Sequence, residues 1–228
     1  MTTFRPSTLE LKRTFPLNEK GRWTVAEFDP NPPFQEYAHP ERLVSAPWLS
    51  ARLGINGLHV IEVDEDSLLY DIGHIPTAIR INVQTELLDS TTRDIISAED
   101  FTALLRSKGI ERDDTVILYG DKSNWWAAFA LWIFELYGHE DVRLLDGGRD
   151  AWMSEERDTS FMVPEPSASS YPEVSREESS RIFVDKLRGS TATVVDTRSP
   201  DEFCGEAALK NGTGESAYGT TLTHGHIP

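Results

Sequence analysis

The tetrapeptide Gly-His-Ile-Pro occurs twice, at residues 73–76 and 225–228, and each copy follows an apolar segment that ends in an acid. These segments are residues 60–62, ending in Glu62, and residues 194–196, ending in Asp196. A repeat of this kind predicts two copies of one folding unit. The first copy has room to continue to Trp152, whereas the second reaches Pro228 directly after its tetrapeptide. We therefore expect the second copy to be incomplete.

The two copies differ in the length of one connection. Twelve positions separate Glu62 from His74, and thirty separate Asp196 from His226. The additional residues fall within 205–224, a segment rich in Gly, Thr and Ser. This composition predicts a mobile inserted loop.

Charge and cysteine usage exclude several classes of function. The chain has 38 acidic and 22 basic residues and a net charge of −16, which repels phosphate backbones and anionic lipid. The single cysteine, Cys204, excludes an internal disulfide framework and a cysteine-based zinc site. No apolar run reaches the roughly 18 residues that span a bilayer, and no signal peptide is recognisable. We expect a cytoplasmic protein with no nucleic-acid or membrane partner.

Short apolar strands alternate with helices from residue 58 onward. Strands are predicted at residues 58–63, 78–83, 116–119 and 142–145, and helices at residues 98–108 and 125–137, with a short helical turn at 66–70. Ser97 and Gly109 are expected to cap and stop the first of these helices. The alternation predicts an α/β fold with a mostly parallel sheet and helices on both faces, whose function lies beyond the carboxyl ends of the strands.

The second of these helices is strongly aromatic. Its periodicity predicts that residues 125, 129, 132, 133 and 136 face the sheet, and that Trp126 is left for a surface between domains.

Domain boundaries follow from composition. Residues 1–40 carry several prolines without sustained periodicity and predict a flexible or loosely docked extension. Residues 41–160 form the first domain, 161–176 a Pro- and Ser-rich linker, and 177–228 the second domain. Within the second domain we expect a helix at 178–187 and a strand at 193–195.

Three motifs carry a resemblance to a known family. Residues 196–203, Asp-Thr-Arg-Ser-Pro-Asp-Glu-Phe, together with Gly-His-Ile-Pro, resemble the opening signature of rhodanese domains. Residues 118–126 and 144–152 resemble the non-catalytic first domain of two-domain thiosulfate sulfurtransferases, most closely those of actinobacteria. The resemblance covers residues 38–228 and implies tandem rhodanese-like domains, the second truncated before its nucleophile loop.

The resemblance implies transfer of sulfane sulfur from thiosulfate to cyanide or a thiol acceptor through a cysteine persulfide. The partners it implies are a small anionic sulfur donor and a thiol or protein acceptor, without a cofactor. The cysteine belongs on the loop between a central strand and the next helix, where converging backbone N–H groups stabilise a thiolate. In the first copy this loop is residues 120–124 and Asp121 takes the cysteine's place; in the second copy it lies beyond Pro228. We therefore expect this chain to be inactive.

Other candidate residues have weaker functional interpretations. Asp196 and Arg198 either support the substrate or tie the strand end to nearby loops, and Glu202 stands where some family members place an arginine beside the substrate. Cys204 precedes the expected nucleophile loop and is interpreted as a free thiol. His74 and His226 are expected to fix the loop before the next strand.

Two alternatives stay open. In the first, the sulfur donor is 3-mercaptopyruvate and not thiosulfate. In the second, the chain is a non-catalytic rhodanese-fold binding or regulatory module, in which Asp121 and the acidic surface serve recognition. The histidines show no spacing typical of a metal site, and none is expected.

Overall fold

The computed structural model describes residues 27–205, together with 215–216, 219–220 and 226. The chain divides into two compact units, Met1–Ser180 and Arg181–Pro228, which are described separately below.

Five parallel strands form the sheet of the first unit, in the order β1-β5-β4-β2-β3. The strands are β1 (Leu43–Val44), β2 (Leu58–Asp64), β3 (Ile79–Asn82), β4 (Thr115–Tyr119) and β5 (Val142–Leu145). The helices are α1 (Ala46–Ser50), α2 (Leu68–Asp71), α3 (Ala98–Ser107), α4 (Trp125–Leu136) and α5 (Gly148–Ser154). The predicted strands and the two long helices are confirmed to within two residues at each end.

Helices cover both faces of this sheet, as predicted for the first domain. On one face, α3 and α4 pack on alternate residues of the strands, among them Ile61 and Leu118. On the other face, α1, α2 and α5 pack on the intervening residues, among them Val60 and Ile117. Burial on both faces explains why the strands are continuous apolar runs and not alternating ones.

The strand order reverses between β2 and β4. The chain goes from β2 to β3 on one side and later returns to place β4 on the other side of β2. The segment after β2 leads to α2 on one face, and the loop after β4 leads to α4 on the opposite face. In open parallel sheets, a crevice forms where consecutive connections diverge in this way. The fold thus directs attention to the carboxyl ends of β2 and β4.

The capping signals of α3 are confirmed, and the predicted face of α4 is right for Ile133 and Leu136 but wrong for Trp125. The Ser97 side chain accepts a hydrogen bond from the Asp100 backbone N–H. In α4, Trp126 is buried at 7% exposure and Trp125 is 47% exposed, the reverse of the expectation. Ala127 and Ala130 are fully buried. Because these small side chains let the helix approach the sheet closely, the packed face is centred on them and not on Trp125.

The part of the N-terminal extension that is described is docked on the first unit. The Asp29 carboxylate accepts hydrogen bonds from the Ser45 backbone N–H at 2.6 Å and from the Ser45 hydroxyl, at the start of α1. Phe34 is buried, and Arg143 donates to the Glu27 carbonyl. Residues 1–26 lie outside the described residues, so the expectation for them stays a prediction.

The segment predicted as the linker, residues 161–176, also lies against the first unit. Tyr171 is fully buried, and its carbonyl accepts a hydrogen bond from Arg106 at 2.7 Å. Its hydroxyl contacts Nδ1 of His139 at 3.0 Å, while Nε2 of His139 lies 3.0 Å from the Asp114 carbonyl. A carbonyl only accepts, so Nε2 carries the proton and Nδ1 accepts from Tyr171. The linker is therefore anchored by a neutral, buried histidine.

The described residues of the second unit form two α-helices, α6 (Val184–Arg188) and α7 (Pro200–Cys204). The predicted helix at 178–187 is wrong in its first part, because a short 3-10 turn at Glu178–Ser180 precedes α6. The predicted strand at 193–195 is not formed, and Val194 and Val195 are exposed. No described residue of 181–228 pairs with this segment as a neighbouring strand. Because a strand is defined by its hydrogen bonds to a partner, an unpaired extended segment does not form one.

The insertion contains a short antiparallel pair, β6 (Glu215–Ser216) with β7 (Gly219–Thr220). Most of the other inserted residues lie outside the described residues, so the predicted mobility of this loop stays a prediction.

One buried ion pair joins the parts of the first unit that surround the crevice. Glu62, at 1% exposure, accepts two hydrogen bonds of 3.0 Å from Nη1 of Arg149, and a third from the Tyr119 hydroxyl. Nη2 of Arg149 donates to the carbonyls of Leu69 and Gly73. Burial raises the pKa of Glu62, while the hydrogen bond from Tyr119 and the charge of Arg149 oppose that shift. The network thereby ties α5 to β2, β4 and the first Gly-His-Ile-Pro loop.

Replacing Arg149 with Met should destabilise the first unit by about 3 kcal/mol or more, because it leaves a buried carboxylate without its counter-ion. The matched control is Arg157→Met, which removes a more exposed arginine from its pair with Glu155 and should cost less than about 1 kcal/mol. Urea unfolding of the two variants gives the comparison, and equal losses would show that the buried pair has no special role.

Burial lowers the pKa of His139 to about 4, whereas an unfolded histidine titrates near 6.5. Between these values the unfolded chain binds a proton that the folded chain does not, so stability falls as the pH drops through this window. His139→Gln removes the titration, and the wild-type free energy of unfolding should fall relative to the variant by up to about 3 kcal/mol between pH 6.5 and 4. Parallel pH profiles for the two proteins would contradict this.

The second unit should exchange its backbone amides faster than the first. Residues 182–203 form no strand and expose Ile182, Phe183, Val194 and Val195, whereas residues 115–145 contain two central strands and α4. Hydrogen exchange read by mass spectrometry compares the two segments. Equal protection in the monomer would mean that the second unit is stabilised by contacts we have not identified.

Candidate functional site

The loop between β4 and α4 has an unusual backbone. Lys122, Ser123 and Asn124 all adopt left-handed conformations, with φ of 48°, 57° and 64°. Such conformations are rare outside glycine and need support from their surroundings. The Asn124 side chain gives that support, since it accepts from the Gly120 N–H at 3.0 Å and donates to the Leu145 carbonyl at 2.7 Å. The loop is therefore held in a tight turn directly before α4.

Gly148 holds this loop from the other side. A Cβ at Gly148 would lie 2.3 Å from Oδ1 of Asn124 and 2.8 Å from the Gly120 carbonyl, so only glycine fits. The next residue, Arg149, donates its backbone N–H to that same carbonyl at 3.0 Å. The Gly147-Gly148 pair is thus a backbone turn that packs against the loop.

Asp121 lies at the start of this loop, at the position where the resemblance places a cysteine. Its side chain makes no capping hydrogen bond to the short turn that follows it. The partial positive charge of a helix N-terminus favours an anion in this region. A carboxylate satisfies that preference but cannot accept sulfane sulfur, so Asp121 gives this loop an anion without a nucleophile for sulfur.

Asp64 is a second carboxylate at the same edge, which the sequence analysis did not single out. It is the last residue of β2, and its Oδ1 accepts from Nε of Arg80 at 2.8 Å. Its Oδ2 is buried and has no hydrogen-bond partner. Burial raises the pKa of Asp64 to about 6, and the charges of Glu62 and Asp121 add to that shift while Arg80 opposes it.

In the second unit, Asp196 and Arg198 are brought together as an ion pair. Arg198 donates from Nε to Oδ1 at 2.9 Å and from Nη2 to Oδ2 at 2.6 Å of Asp196. Hydrogen bonds from the Arg198 side chain and backbone lower the pKa of Asp196 to about 2. The structure thus shows their mutual pairing, while their predicted support of a substrate stays a prediction.

Glu202 has a local structural role. Its side chain accepts from the Ser199 backbone N–H at 3.0 Å, and the Ser199 hydroxyl accepts from the Glu202 N–H, which together make a capping box at the start of α7. The capping box explains why an acid is suitable at this position, where some family members have an arginine.

The two histidines of the repeated tetrapeptide have matching surroundings. The His74 ring stacks on Tyr70 with centroids 3.9 Å apart, and its Nδ1 lies 2.9 Å from the Tyr70 carbonyl. The His226 ring stacks on Phe203 at the same centroid distance, with Nδ1 3.0 Å from the Phe203 carbonyl. The shared stack locates the insertion between Phe203 and His226. Sequence reasoning missed the aromatic partner, although Tyr70 and Phe203 follow Glu62 and Asp196 at nearly equal spacing.

Cys204 is exposed at the last position of α7. The carbonyl end of a helix gives no stabilisation to a thiolate, in contrast to the N-terminus of α4. Its surroundings therefore do not resemble the loop that would carry a sulfur nucleophile.

Two features are absent from the part of the chain that the structure describes. No group of three or more histidine, cysteine and carboxylate side chains is placed to bind a metal ion. None of the helices there has the length and apolar character needed to span a bilayer.

Comparison with known proteins identifies the family. Residues 45–155 match the model of the rhodanese-like domain. The thiosulfate sulfurtransferase of Corynebacterium glutamicum is 58% identical over 210 residues, covering 90% of this chain and 69% of that protein. A putative thiosulfate sulfurtransferase, SseA, of Mycobacterium tuberculosis is 50% identical over 203 residues, covering 88% of this chain and 67% of that protein.

A solved structure has the same fold. It is SseA from Escherichia coli, described in terms of 3-mercaptopyruvate sulfotransferases, with a TM-score of 0.69 at 22% identity over 82% of this chain and 72% of that one. From the sequence relatives and the matched domain, the chain belongs to the rhodanese family of sulfurtransferases.

Proposed function

We propose that the full-length parent protein moves sulfane sulfur from thiosulfate to cyanide or a thiol acceptor through a cysteine persulfide, and that this chain lacks the cysteine that carries the persulfide. The observation that carries the proposal is the loop of residues 120–124, which stands before α4 at the reversal of the strand order. That is where this fold offers an anion both a helix N-terminus and a crevice. The high identity to a named thiosulfate sulfurtransferase supports the same chemistry.

The proposed reaction has two displacements. A cysteine thiolate attacks the outer sulfur of thiosulfate, a sulfur–sulfur bond forms to the protein, and sulfite leaves with the electron pair of the broken bond. Cyanide then attacks the terminal sulfur of the persulfide, thiocyanate departs, and the thiolate is restored. A thiol acceptor would take the sulfur in the same way, forming its own persulfide. No cofactor is needed, because each step transfers only sulfur.

The two copies have different proposed roles. The first is a non-catalytic rhodanese-like domain, because Asp121 replaces the nucleophile in a loop that is otherwise fully supported. The second copy carries Asp196 and Arg198 as proposed support for the substrate, and its own nucleophile loop belongs after Pro228. The tandem arrangement, the linker at 161–176 and a cytoplasmic location are parts of this proposal.

One alternative has a specific observation in its favour. Asp121 is held in a preformed loop, with Glu65 and Lys122 paired beside it at 3.5 Å. A charged loop with these hydrogen bonds suits a binding or regulatory module as well as a silent copy of an enzyme. The choice between thiosulfate and 3-mercaptopyruvate as donor depends on the loop proposed to follow Pro228.

The 228-residue chain should show no thiosulfate:cyanide sulfurtransferase turnover, because its single cysteine, Cys204, is not on the loop of residues 120–124. Thiocyanate formation is measured for the purified chain and for Cys204→Ser, with free cysteine as the background. Both proteins should remain at that background. Turnover that exceeds it and disappears in Cys204→Ser would show that the nucleophile has been placed wrongly.

A further inference from the structure

Asp64 and Asp121 occupy neighbouring positions at the carboxyl ends of adjacent strands. The register of β2 and β4 pairs Glu62 with Tyr119, and two further residues along each chain lead to Asp64 and Asp121. Asp121 lies just beyond β4 and has an extended backbone. The backbones remain close at this point, since a Cβ at Gly120 would lie 2.6 Å from the Val63 carbonyl. The charge of Asp121 also adds to the raised pKa of Asp64, so the Asp64 carboxylate lies near the nucleophile position.

Packing does not explain an acid at residue 64. Its side chain is only 5% exposed, one oxygen is paired with Arg80, and the other has no donor. A buried polar atom without a partner costs stability. The carboxylate at this position therefore lowers the stability of the folded protein, and we look for its reason in function.

The duplication supplies the matching residue of the second copy. Glu62 and Asp196 end equivalent apolar segments, and the equivalent aromatic–histidine stacks support this alignment. Two residues further along are Asp64 in the first copy and Arg198 in the second. The same position thus carries opposite charge in the two copies.

We propose that Asp64 sets the charge that faces residue 121, the nucleophile position of the first copy. Asp64 is then a second replacement, besides Asp121, that makes the first copy unsuitable for an anionic sulfur chemistry. This inference rests on the proposed sulfurtransferase function.

The cations around Asp64 are each paired with an acid. Arg80 on β3 is paired with Asp64, Arg149 on α5 with Glu62, and Lys122 on the loop with Glu65. Removal of the Asp64 charge therefore leaves Arg80 without its counter-ion near the loop. Both the lost anion and the freed cation favour a thiolate at residue 121.

The test places a thiol at the nucleophile position of the first copy. Asp121→Cys is made in a Cys204→Ser background, so that the chain has one thiol, and Asp64→Asn is added to remove one charge without a change of shape. The rate of alkylation by iodoacetamide, in which the thiolate displaces iodide, is measured against pH to give the thiol pKa. Asp64→Asn should lower that pKa by about one unit, which gives about tenfold faster alkylation near pH 7.

The matched control is Asp66→Asn, which removes the same charge from an exposed residue two positions along the chain and should shift the thiol pKa much less. Asp64→Ser repeats the measurement in case the amide is not accommodated. An unchanged thiol pKa in both Asp64 variants, or an equal shift from Asp66→Asn, overturns the proposal.

A separate measurement, persulfide formation on incubation with thiosulfate followed by mass spectrometry, reports on the function itself. A lowered pKa without persulfide would count against sulfur transfer at this loop and would leave the charge assignment standing.

Discussion

The ion pair of Glu62 and Arg149 fixes the geometry on which the crevice of the first unit depends. A carboxylate in the interior needs a counter-ion and hydrogen-bond donors, and Glu62 obtains all of these from Arg149 and Tyr119. Arg149 directly follows Gly148, so the same ion pair keeps Gly148 packed against the loop of residues 120–124. The turn of that loop and the position of the first Gly-His-Ile-Pro segment therefore follow from one buried contact.

In the second unit, Asp196 is the equivalent of Glu62 and has no such partner among the described residues. The described residues there include no counterpart of Arg149, and Asp196 pairs with Arg198 two positions along the chain. That pair is partly exposed, and a single local interaction of this kind contributes little to stability. The strand-end acid of the first unit is therefore held by a residue distant in sequence, whereas Asp196 is held by its near neighbour.

Local signals in the sequence were enough for most of the first unit. Buried parallel strands are continuous apolar runs, and Ser97 and Gly109 marked the ends of α3, so these elements and the α/β class were predictable. The exposed face of α4 was not, because the choice between Trp125 and Trp126 depends on how closely Ala127 and Ala130 approach the sheet. The strand expected at 193–195 failed for a different reason, since strands exist only as pairs and propensity says nothing about an absent partner. The anchoring of Tyr171 by His139 likewise joins residues too far apart in sequence for any local pattern to report.

The candidate site divides along the same line. The loop of residues 120–124 and Asp121 were located by motif, whereas Asp64 was not, because only the register of β2 and β4 places it beside Asp121. A thiol at residue 121 would ionise beside a buried acid, and like charges close together raise the pKa of whichever group ionises second. We therefore expect that one substitution at residue 121 does not make this loop a sulfur nucleophile, because its backbone suits an anion whereas the charge of Asp64 opposes one.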